Sequence, residues 1–204
     1  MLQTSVGYGN AQLDAGETFV GTSPILRAYN GSLPTDVAAA LSGGNTLLAQ
    51  GALPSNWLAD ASARQKALAG IWTLTGQSGA GTGTAATFWR LYKSDGTTCV
   101  MQGTLKTAIP INTSALTSVN GNVLTFAATT GVAVGNTVSG TGVPAGTTVV
   151  AVTSTTVTLS QTSTAGVASG ATITFGGDMN MDNVNIANGQ TVTVSAFTIT
   201  GGNA

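Results

Sequence analysis

The sequence has no histidine, a single cysteine and very little charge. Six Lys/Arg and seven Asp/Glu residues make up 6% of 204 positions, against roughly 25% in an average globular protein. The missing histidine excludes Ser-His-Asp and Cys-His catalysis and the commonest transition-metal ligand. The single cysteine, Cys99, excludes an intrachain disulfide and is interpreted as a small buried hydrophobic residue. We predict no catalytic residue, no cofactor-binding site and no metal site.

The charge balance also limits the partners. The net charge is −1, and six dispersed basic residues cannot build the stripe that binds phosphates, so we expect no nucleic-acid partner. Residues Met1–Ser5 do not open a signal peptide, and no apolar run reaches the roughly 18 residues that cross a bilayer. We expect synthesis in the cytoplasm and no membrane partner. A nearly neutral surface favours a chain covered by its own copies or by a large partner.

The residues that are abundant favour strands. Hydrophobic residues make up 42% of the chain. Disordered proteins combine few hydrophobic residues with high net charge, so this composition does not match theirs. Thr and Val suit pleated sheets because branching at Cβ stiffens the side chain, and Gly supplies turns. Short apolar runs recur at a spacing of roughly 8–12 residues, which predicts an all-β fold of the jelly-roll or β-sandwich type. Short helical segments are predicted near the N-terminus, over 6–20, 37–41 and 55–59.

Two domains are predicted from a change in texture. Residues 1–108 contain every Trp, Tyr, Lys and Arg of the chain, whereas residues 109–175 contain no charged residue. The contrast predicts a small Thr/Gly/Val-rich β-sandwich, 109–175, inserted into a β domain made of 1–108 and 176–204.

The last strand is the most regular. Residues 191–200 alternate in the way that a strand paired inside a sheet requires. The alternation predicts one common face for Val192, Val194, Ala196 and Thr198.

Acidic residues offer one candidate ligand pattern. Asp178, Asn180 and Asp182 match the first three ligand positions of a calcium loop, but the expected Gly and Glu further along are missing. An Asx-rich turn is therefore preferred over a cation site. Asp14 and Glu17, which lie near each other in the sequence, are assigned a solvated or capping role.

Large aromatic residues are the candidate interaction residues. They could form a carbohydrate-stacking surface, but in a chain with so few large side chains, core positions or subunit-interface anchors are preferred. The predicted interface residues are Trp57, Trp72, Trp89, Tyr92 and Arg90.

Several segments resemble structural proteins of tailed bacteriophages. Gly131–Ser160 (GVAVGNTVSGTGVPAGTTVVAVTSTTVTLS) resembles a β-rich module that recurs in their virion proteins. Ser5–Ala15, Leu53–Ala59 and Gly177–Val194 resemble the patterns SVxxxNAxLDA, LPSxWxA and GDMxxDNxxIAxGQTVTV of phage and prophage structural proteins. The resemblance covers most of the chain and carries no catalytic residues with it.

The resemblance implies a non-enzymatic capsid decoration (cement) protein on the virion surface. Such a protein binds the outside of the major capsid protein lattice and stabilises the head by multivalent clamping. We expect a homo-oligomer, with a homotrimer preferred over a dimer. The parent domain would bind the capsid or form the oligomer axis, and the insert would project outwards.

Other functions remain open at this point. The main alternative is a tail, tail-tip or fibre-associated structural protein that binds a host surface glycan. A polysaccharide-degrading virion enzyme is less favoured because the carboxylates are thinly spread, and a surface adhesin because the chain opens without a signal peptide.

Overall fold

The computed structural model of the chain describes residues 4–200. These residues divide into two compact units. Unit 1 is built from the chain up to Thr107 together with the chain from Asp178 onward, and unit 2 is Ala108–Gly177. The expected insertion, 109–175, differs from this division by one residue at its start and two at its end.

The first part of unit 1 consists of one α-helix followed by seven strands, and three more strands belong to unit 1 after unit 2. A 3-10 turn lies at Ser78–Ala80. The elements before unit 2 are α1 (Val6–Val20), β1 (Ile25–Asn30), β2 (Thr46–Ala52), β3 (Gln65–Ala67), β4 (Thr73–Gly76), β5 (Thr84–Ala85), β6 (Phe88–Tyr92) and β7 (Cys99–Thr107). Those of unit 2 are β8 (Ile109–Asn112), β9 (Val123–Thr125), β10 (Thr137–Ser139), β11 (Val149–Val152), β12 (Thr156–Leu159) and β13 (Thr172–Gly176). The returning strands are β14 (Met179–Met181), β15 (Asn185–Ile186) and β16 (Thr191–Thr200).

Unit 1 is a closed barrel. Its strands pair in the order β14-β7-β6-β1-β2-β4-β16, and β16 pairs back with β14 to close a seven-stranded ring. The β14–β7 pair is parallel and the other pairs are antiparallel. The all-β class is confirmed, with 42% of residues in strands. The jelly roll is not confirmed, because a jelly roll packs two sheets face to face whereas this sheet closes on itself.

The barrel encloses an aromatic core. Trp72 contacts Phe197 at a ring-centroid distance of 5.2 Å, and Trp89 meets the same ring edge-on at 5.5 Å. Strand β6 is buried at every position. Edge-on contacts such as that of Trp89 stabilise aromatic cores beyond the burial of their area.

The face predicted for β16 is correct only up to Val194. The register against β14 pairs Met181 with Val194 and Asn180 with Ala196, so Ser195 is an extra residue in the ladder. A bulge of this kind reverses the alternation that follows it. Phe197 is therefore buried, while Ala196 and Thr198, which were predicted to share the inner face, are exposed.

Of the predicted helical segments, only 6–20 is an α-helix in the part of the chain that the structure describes. It begins after Ser5, whose hydroxyl accepts a hydrogen bond from the Tyr8 amide, and ends at Gly21 with a φ of 88°. The N-cap hydroxyl and a C-terminal glycine with positive φ satisfy the free ends of a helix.

Neither of the other two predicted segments is an α-helix. Around 37–41 the Asp36 side chain accepts from the Ala38 amide and its carbonyl from the Ala39 amide, as the predicted N-capped turn requires, but the carbonyls of residues 36, 37 and 39 also accept from the Arg90 guanidinium and the turn does not continue. In 55–59, the Trp57 carbonyl accepts from the Ala69 amide and the Ala59 amide donates to Ala67. Long-range pairing has replaced local helix formation in both segments.

Unit 2 contains two three-stranded antiparallel sheets, β10-β13-β8 and β11-β12-β9. Phe126 and Phe175 meet edge-on in its core at 5.6 Å. Buried Thr113 and Thr117 each donate a side-chain hydrogen bond to a backbone carbonyl, at 2.6 and 2.9 Å. Hydroxyls satisfied in this way can be buried without the cost of an unpaired polar group.

Candidate interaction surface

The three tryptophans predicted as interface anchors lie inside unit 1. Trp57 and Trp72 have no exposed surface and Trp89 is 3% exposed. The Trp72 indole donates to the Trp57 carbonyl at 3.0 Å, and the Trp57 indole donates to the Gly21 carbonyl at 3.2 Å. Side chains that are buried within one chain have no surface to give to a partner. The surface roles considered for them, as interface anchors and in carbohydrate stacking, are corrected to a role in the core.

Arg90 is also buried, at 3% exposure. Its guanidinium donates to the carbonyls of Asp36, Val37 and Ala39 at 2.7–3.2 Å and to the Gln102 side chain at 3.1 Å. The planar fork of an arginine side chain suits several acceptors at once. Arg90 therefore fastens the segment after β1 to the barrel rather than contacting a partner.

Tyr92 completes the predicted interface set and is buried as well. Its hydroxyl lies 3.2 Å from that of Tyr29, and the Arg27 guanidinium lies 4.6 Å from its ring centre. Burial, together with the hydrogen bond between the two phenols, raises the pKa of Tyr29 well above its ordinary value. Cys99, which pairs with Tyr92 between β7 and β6, is half-buried, and burial raises the pKa of the Cys99 thiol. None of the five predicted interface residues is on the surface.

Helix α1 is attached by an ion-pair cluster to β3, which pairs with the end of the barrel strand β16. Lys66 on β3 is 2% exposed, and its ammonium lies 2.6 Å from both the Asp14 and the Glu17 carboxylates. The hydrogen bond from Lys66 lowers the pKa of Asp14 below its ordinary value. Burial alone would lower the pKa of Lys66, but its hydrogen bonds to the two carboxylates outweigh burial and raise it. Asp14 and Glu17 thus both pair with Lys66; the Asp14 side chain is 52% exposed and is solvated as predicted, whereas that of Glu17 is 21% exposed.

Further polar contacts run along the same side of α1. The Arg64 amide donates to the Asn10 side chain at 2.8 Å, and its guanidinium donates to the Thr4 hydroxyl at 2.9 Å and the Ser5 carbonyl at 3.1 Å. The Arg64 stem crosses the helix at Gly9, where a Cβ atom would lie 2.9 Å from Arg64 Cγ. Glycine at position 9 therefore leaves room for the Arg64 side chain against α1.

The opposite side of α1 carries no charge. Tyr8, Ala11, Gln12, Ala15 and Phe19 are all exposed, and at 3.6 residues per turn they share one side of the helix. We call these five residues the outer face of α1. Tyr8 is 55% and Phe19 66% exposed, whereas the solvent side of a surface helix is ordinarily polar or charged.

Lys93 contacts the outer face of α1 at its C-terminal end. Its ammonium lies 4.0 Å from the centre of the Phe19 ring, a cation–π contact. None of the predicted interface residues lies on this surface, because they were predicted from side-chain size. The available signal was helical spacing, which turns the carboxylates of Asp14 and Glu17 away from the two aromatic rings.

The Asp178 and Asp182 carboxylates, two of the three candidate calcium ligands, bind to different strands. The Asp178 carboxylate accepts from the Thr104 amide and hydroxyl, both at 2.8 Å. The Asp182 carboxylate accepts from the Thr193 amide at 3.0 Å and its hydroxyl at 2.8 Å. Each carboxylate thus ties β14 or its continuation to a neighbouring strand.

Unit 2 presents an uncharged surface. Its residues Ala108–Gly177 include no Lys, Arg, Asp, Glu or His. Exposed large apolar side chains are Leu116, Val119, Val123, Val134 and Val150. Hydroxyl and amide groups of Thr, Ser, Asn and Gln supply the rest of its hydrogen-bonding capacity.

Within residues 4–200, which the structure describes, no three His, Cys, Asp or Glu side chains are grouped so that they could hold a metal ion. No helix in the same range is long and apolar enough to span a bilayer.

Comparison of the chain with protein-family models, with curated proteins and with solved structures finds no match.

Proposed function

We propose that the protein is a non-enzymatic capsid decoration protein of a tailed bacteriophage. It binds the outside of the major capsid protein lattice as a symmetric homo-oligomer and stabilises the head by multivalent clamping. The observation that carries the proposal is the charge-poor surface of a chain whose few cations are largely used internally. Lys66 and Arg90 are buried in contacts within unit 1.

A surface of this kind suits permanent attachment to a large assembly. Free monomers with little net charge lack the repulsion that keeps proteins apart in solution. Many identical copies on a lattice bury that surface, and each added contact raises the avidity of the whole layer. The resemblance of Gly131–Ser160 and Gly177–Val194 to virion proteins supports the same assignment.

The two units have separate roles in this proposal. Unit 1 contains every cation and aromatic ring except Phe126 and Phe175, and it provides the attachment to the capsid. Unit 2, with no ionisable side chain, faces away from the lattice. An uncharged module there adds no repulsion between neighbouring copies.

Adding purified protein back to heads that lack it tests the proposal. We expect saturable co-sedimentation at a simple ratio to the coat protein, and heads that release DNA at a higher temperature. A matched control uses the unexpanded shell or an unrelated capsid, to which no saturable binding is expected. Absence of binding to the mature heads would contradict the proposal.

A second candidate function is a tail or fibre protein that binds a host surface glycan. The observation that favours it is the hydroxyl-rich, uncharged surface of unit 2, because neutral sugars are bound through hydrogen bonds and apolar contact. It predicts saturable binding of the purified protein to host-envelope polysaccharide. The decoration proposal predicts no such binding.

A further inference from the structure

Lys66 brings a buried amine nitrogen into contact with two carboxylates. Its side chain is 2% exposed, and its Nζ atom lies 2.6 Å from Asp14 Oδ1 and 2.6 Å from Glu17 Oε2. A lysine amine that has lost its water and its extra proton is a nucleophile, and a carboxylate beside it can take up that proton. The cluster therefore holds a nucleophile, a carboxyl carbon and a base against one another.

We propose that Lys66 and Asp14 form an intramolecular amide (isopeptide) bond, with Glu17 as the group that carries the protons. The ion pair is the state of the newly folded chain, and the bond replaces it slowly. The bond would fasten α1 to β3 covalently. The proposal concerns unit 1 alone and holds whether or not the protein binds a capsid.

The reaction is a condensation that needs neither an oxidant nor a cofactor. Glu17 takes one proton from the Lys66 ammonium and passes it to the Asp14 carboxylate, which leaves a neutral amine beside a neutral carboxyl group. The electron pair of the amine forms a bond to Asp14 Cγ. Glu17 then takes a second proton from the nitrogen and gives it to the departing oxygen. One C–O bond breaks, one water leaves, and Glu17 is again a carboxylate.

Two backbone amides hold the carboxylates in place for this reaction. The Ala61 amide donates to Asp14 Oδ1 and the Leu58 amide donates to Glu17 Oε1, both at 3.3 Å. The Ala61 amide can therefore also stabilise the negative charge that develops on Oδ1 when the nitrogen attacks Cγ. The Asp14 side chain is 52% exposed, so the released water has a path to solvent.

Proximity compensates for the small fraction of neutral amine. Burial lowers the pKa of Lys66, but its hydrogen bonds to the two carboxylates raise the pKa overall, so the ammonium predominates and the bond forms slowly. Groups held in contact react as if one of them were present at about 10⁵ M or more. The folded chain therefore favours an amide that free lysine and aspartate in water would not form.

Intact-mass spectrometry tests the proposal. During incubation of the folded wild-type chain at neutral pH, we expect its mass to fall by that of one water. Trypsin should then no longer cleave after Lys66, because an amide nitrogen carries no charge. Tandem mass spectrometry should place the loss in a branched peptide that joins position 14 to position 66. A wild-type mass that stays at that of the sequence would overturn the proposal, whatever the variants do.

Two variants make the result specific to this cluster. Glu17→Gln keeps the Lys66–Asp14 ion pair but removes the proton carrier, and Asp14→Ala removes the carbon that is attacked. Both chains should stay at full mass, with a circular dichroism spectrum like that of the wild type. Loss of water at the wild-type rate in either variant would overturn the proposal, because the reaction would then proceed without Glu17 or at another place in the chain.

Discussion

Among individual residues, Lys66 determines how firmly α1 is held. Its ammonium is buried between two carboxylates at 2.6 Å, and removing one member of a buried ion pair costs about 3–5 kcal/mol. Because Asp14 is half-exposed and can regain water, we expect Lys66→Ala to lower the free energy of unfolding by about 3 kcal/mol. Urea denaturation measures this change.

The matched control is Lys106→Ala, which removes a half-buried lysine from β7. We expect its effect on the free energy of unfolding to stay within about 0.5 kcal/mol, as for most surface substitutions. If Lys66→Ala lowers the free energy of unfolding by no more than Lys106→Ala does, the ion-pair cluster does not stabilise the fold.

The same cluster gives the stability a defined pH dependence. The pKa of Asp14 is lowered from 3.8 in the folded chain, so its contribution is present above that pH and is lost as the pH falls below it. The pKa of Lys66 is raised from 10.5, so its contribution is present below that pH and is lost as the pH rises above it. We expect the melting temperature to be highest between these limits.

A pH series of thermal melts on the wild type and on Asp14→Asn checks this expectation. Below pH 3.8 the difference between the two proteins should shrink, because the wild-type carboxylate becomes neutral there. A difference that stays constant down to acid pH would contradict the assigned role of Asp14.

Of this ion-pair cluster, only the proximity of the two carboxylates could be predicted from the sequence. The three-residue spacing of Asp14 and Glu17 shows that they share one side of a helix. Their cation, Lys66, lies 52 residues from Asp14 in a short strand with no pattern that marks it as buried. Its burial follows from tertiary packing.

Among the strands, β16 gives the sharpest test of the barrel. Phe197 is 6% exposed and contacts Trp72 and Trp89. Truncation of buried aromatic residues costs about 3–5 kcal/mol, so we expect Phe197→Ala to lower the free energy of unfolding by that amount. Guanidinium denaturation followed by tryptophan fluorescence measures it.

The neighbouring position tests the bulge itself. Ala196 is exposed because Ser195 is inserted opposite β14, so Ala196→Lys should change the free energy of unfolding by less than about 0.5 kcal/mol. An unbroken alternation would bury Ala196, and the lysine would then be strongly destabilising. A large loss in this variant would therefore reject the bulge.

Strand positions could be predicted from sequence better than their pairing. The limits expected for the last strand, 191–200, agree with β16, because alternation is a local signal. The bulge depends on the register against β14, which no local pattern records. The two segments that were predicted as helical and are not, 37–41 and 55–59, are likewise held by long-range hydrogen bonds to Arg90 and to 67–69.

In the whole chain, unit 2 forms the connection between two strands of unit 1. These strands, β7 and β14, are parallel neighbours with Thr107 paired to Met181. Parallel strands cannot be joined by a tight turn, and here all of Ala108–Gly177 makes the connection. The Asp178 carboxylate accepts from the Thr104 amide at 2.8 Å, so the chain returns close to where it left β7.

We therefore expect unit 1 to fold without unit 2. Replacing 108–177 by a Gly/Ser linker of about ten residues gives a flexible span of roughly 17 Å. The shortened chain should keep the tryptophan emission of the intact protein, because all three tryptophans lie in unit 1. Red-shifted emission and loss of cooperative unfolding would show that unit 1 needs unit 2.

The closed barrel could not be predicted from the sequence. Closure requires β14 to pair with β7 in parallel and with β16 in antiparallel, and β14 is only three residues long. A strand this short between polar residues has no distinctive periodicity. The charge-free composition of 109–175, in contrast, is a property of the sequence itself.

The copy number of the chain in purified virions tests the decoration proposal most directly. Quantitative mass spectrometry against the major capsid protein should give about one copy per coat subunit, or a simple fraction of that number, because a cement protein occupies equivalent lattice positions. A count of only a few copies per particle would contradict the proposal and would place the protein in the tail or fibres.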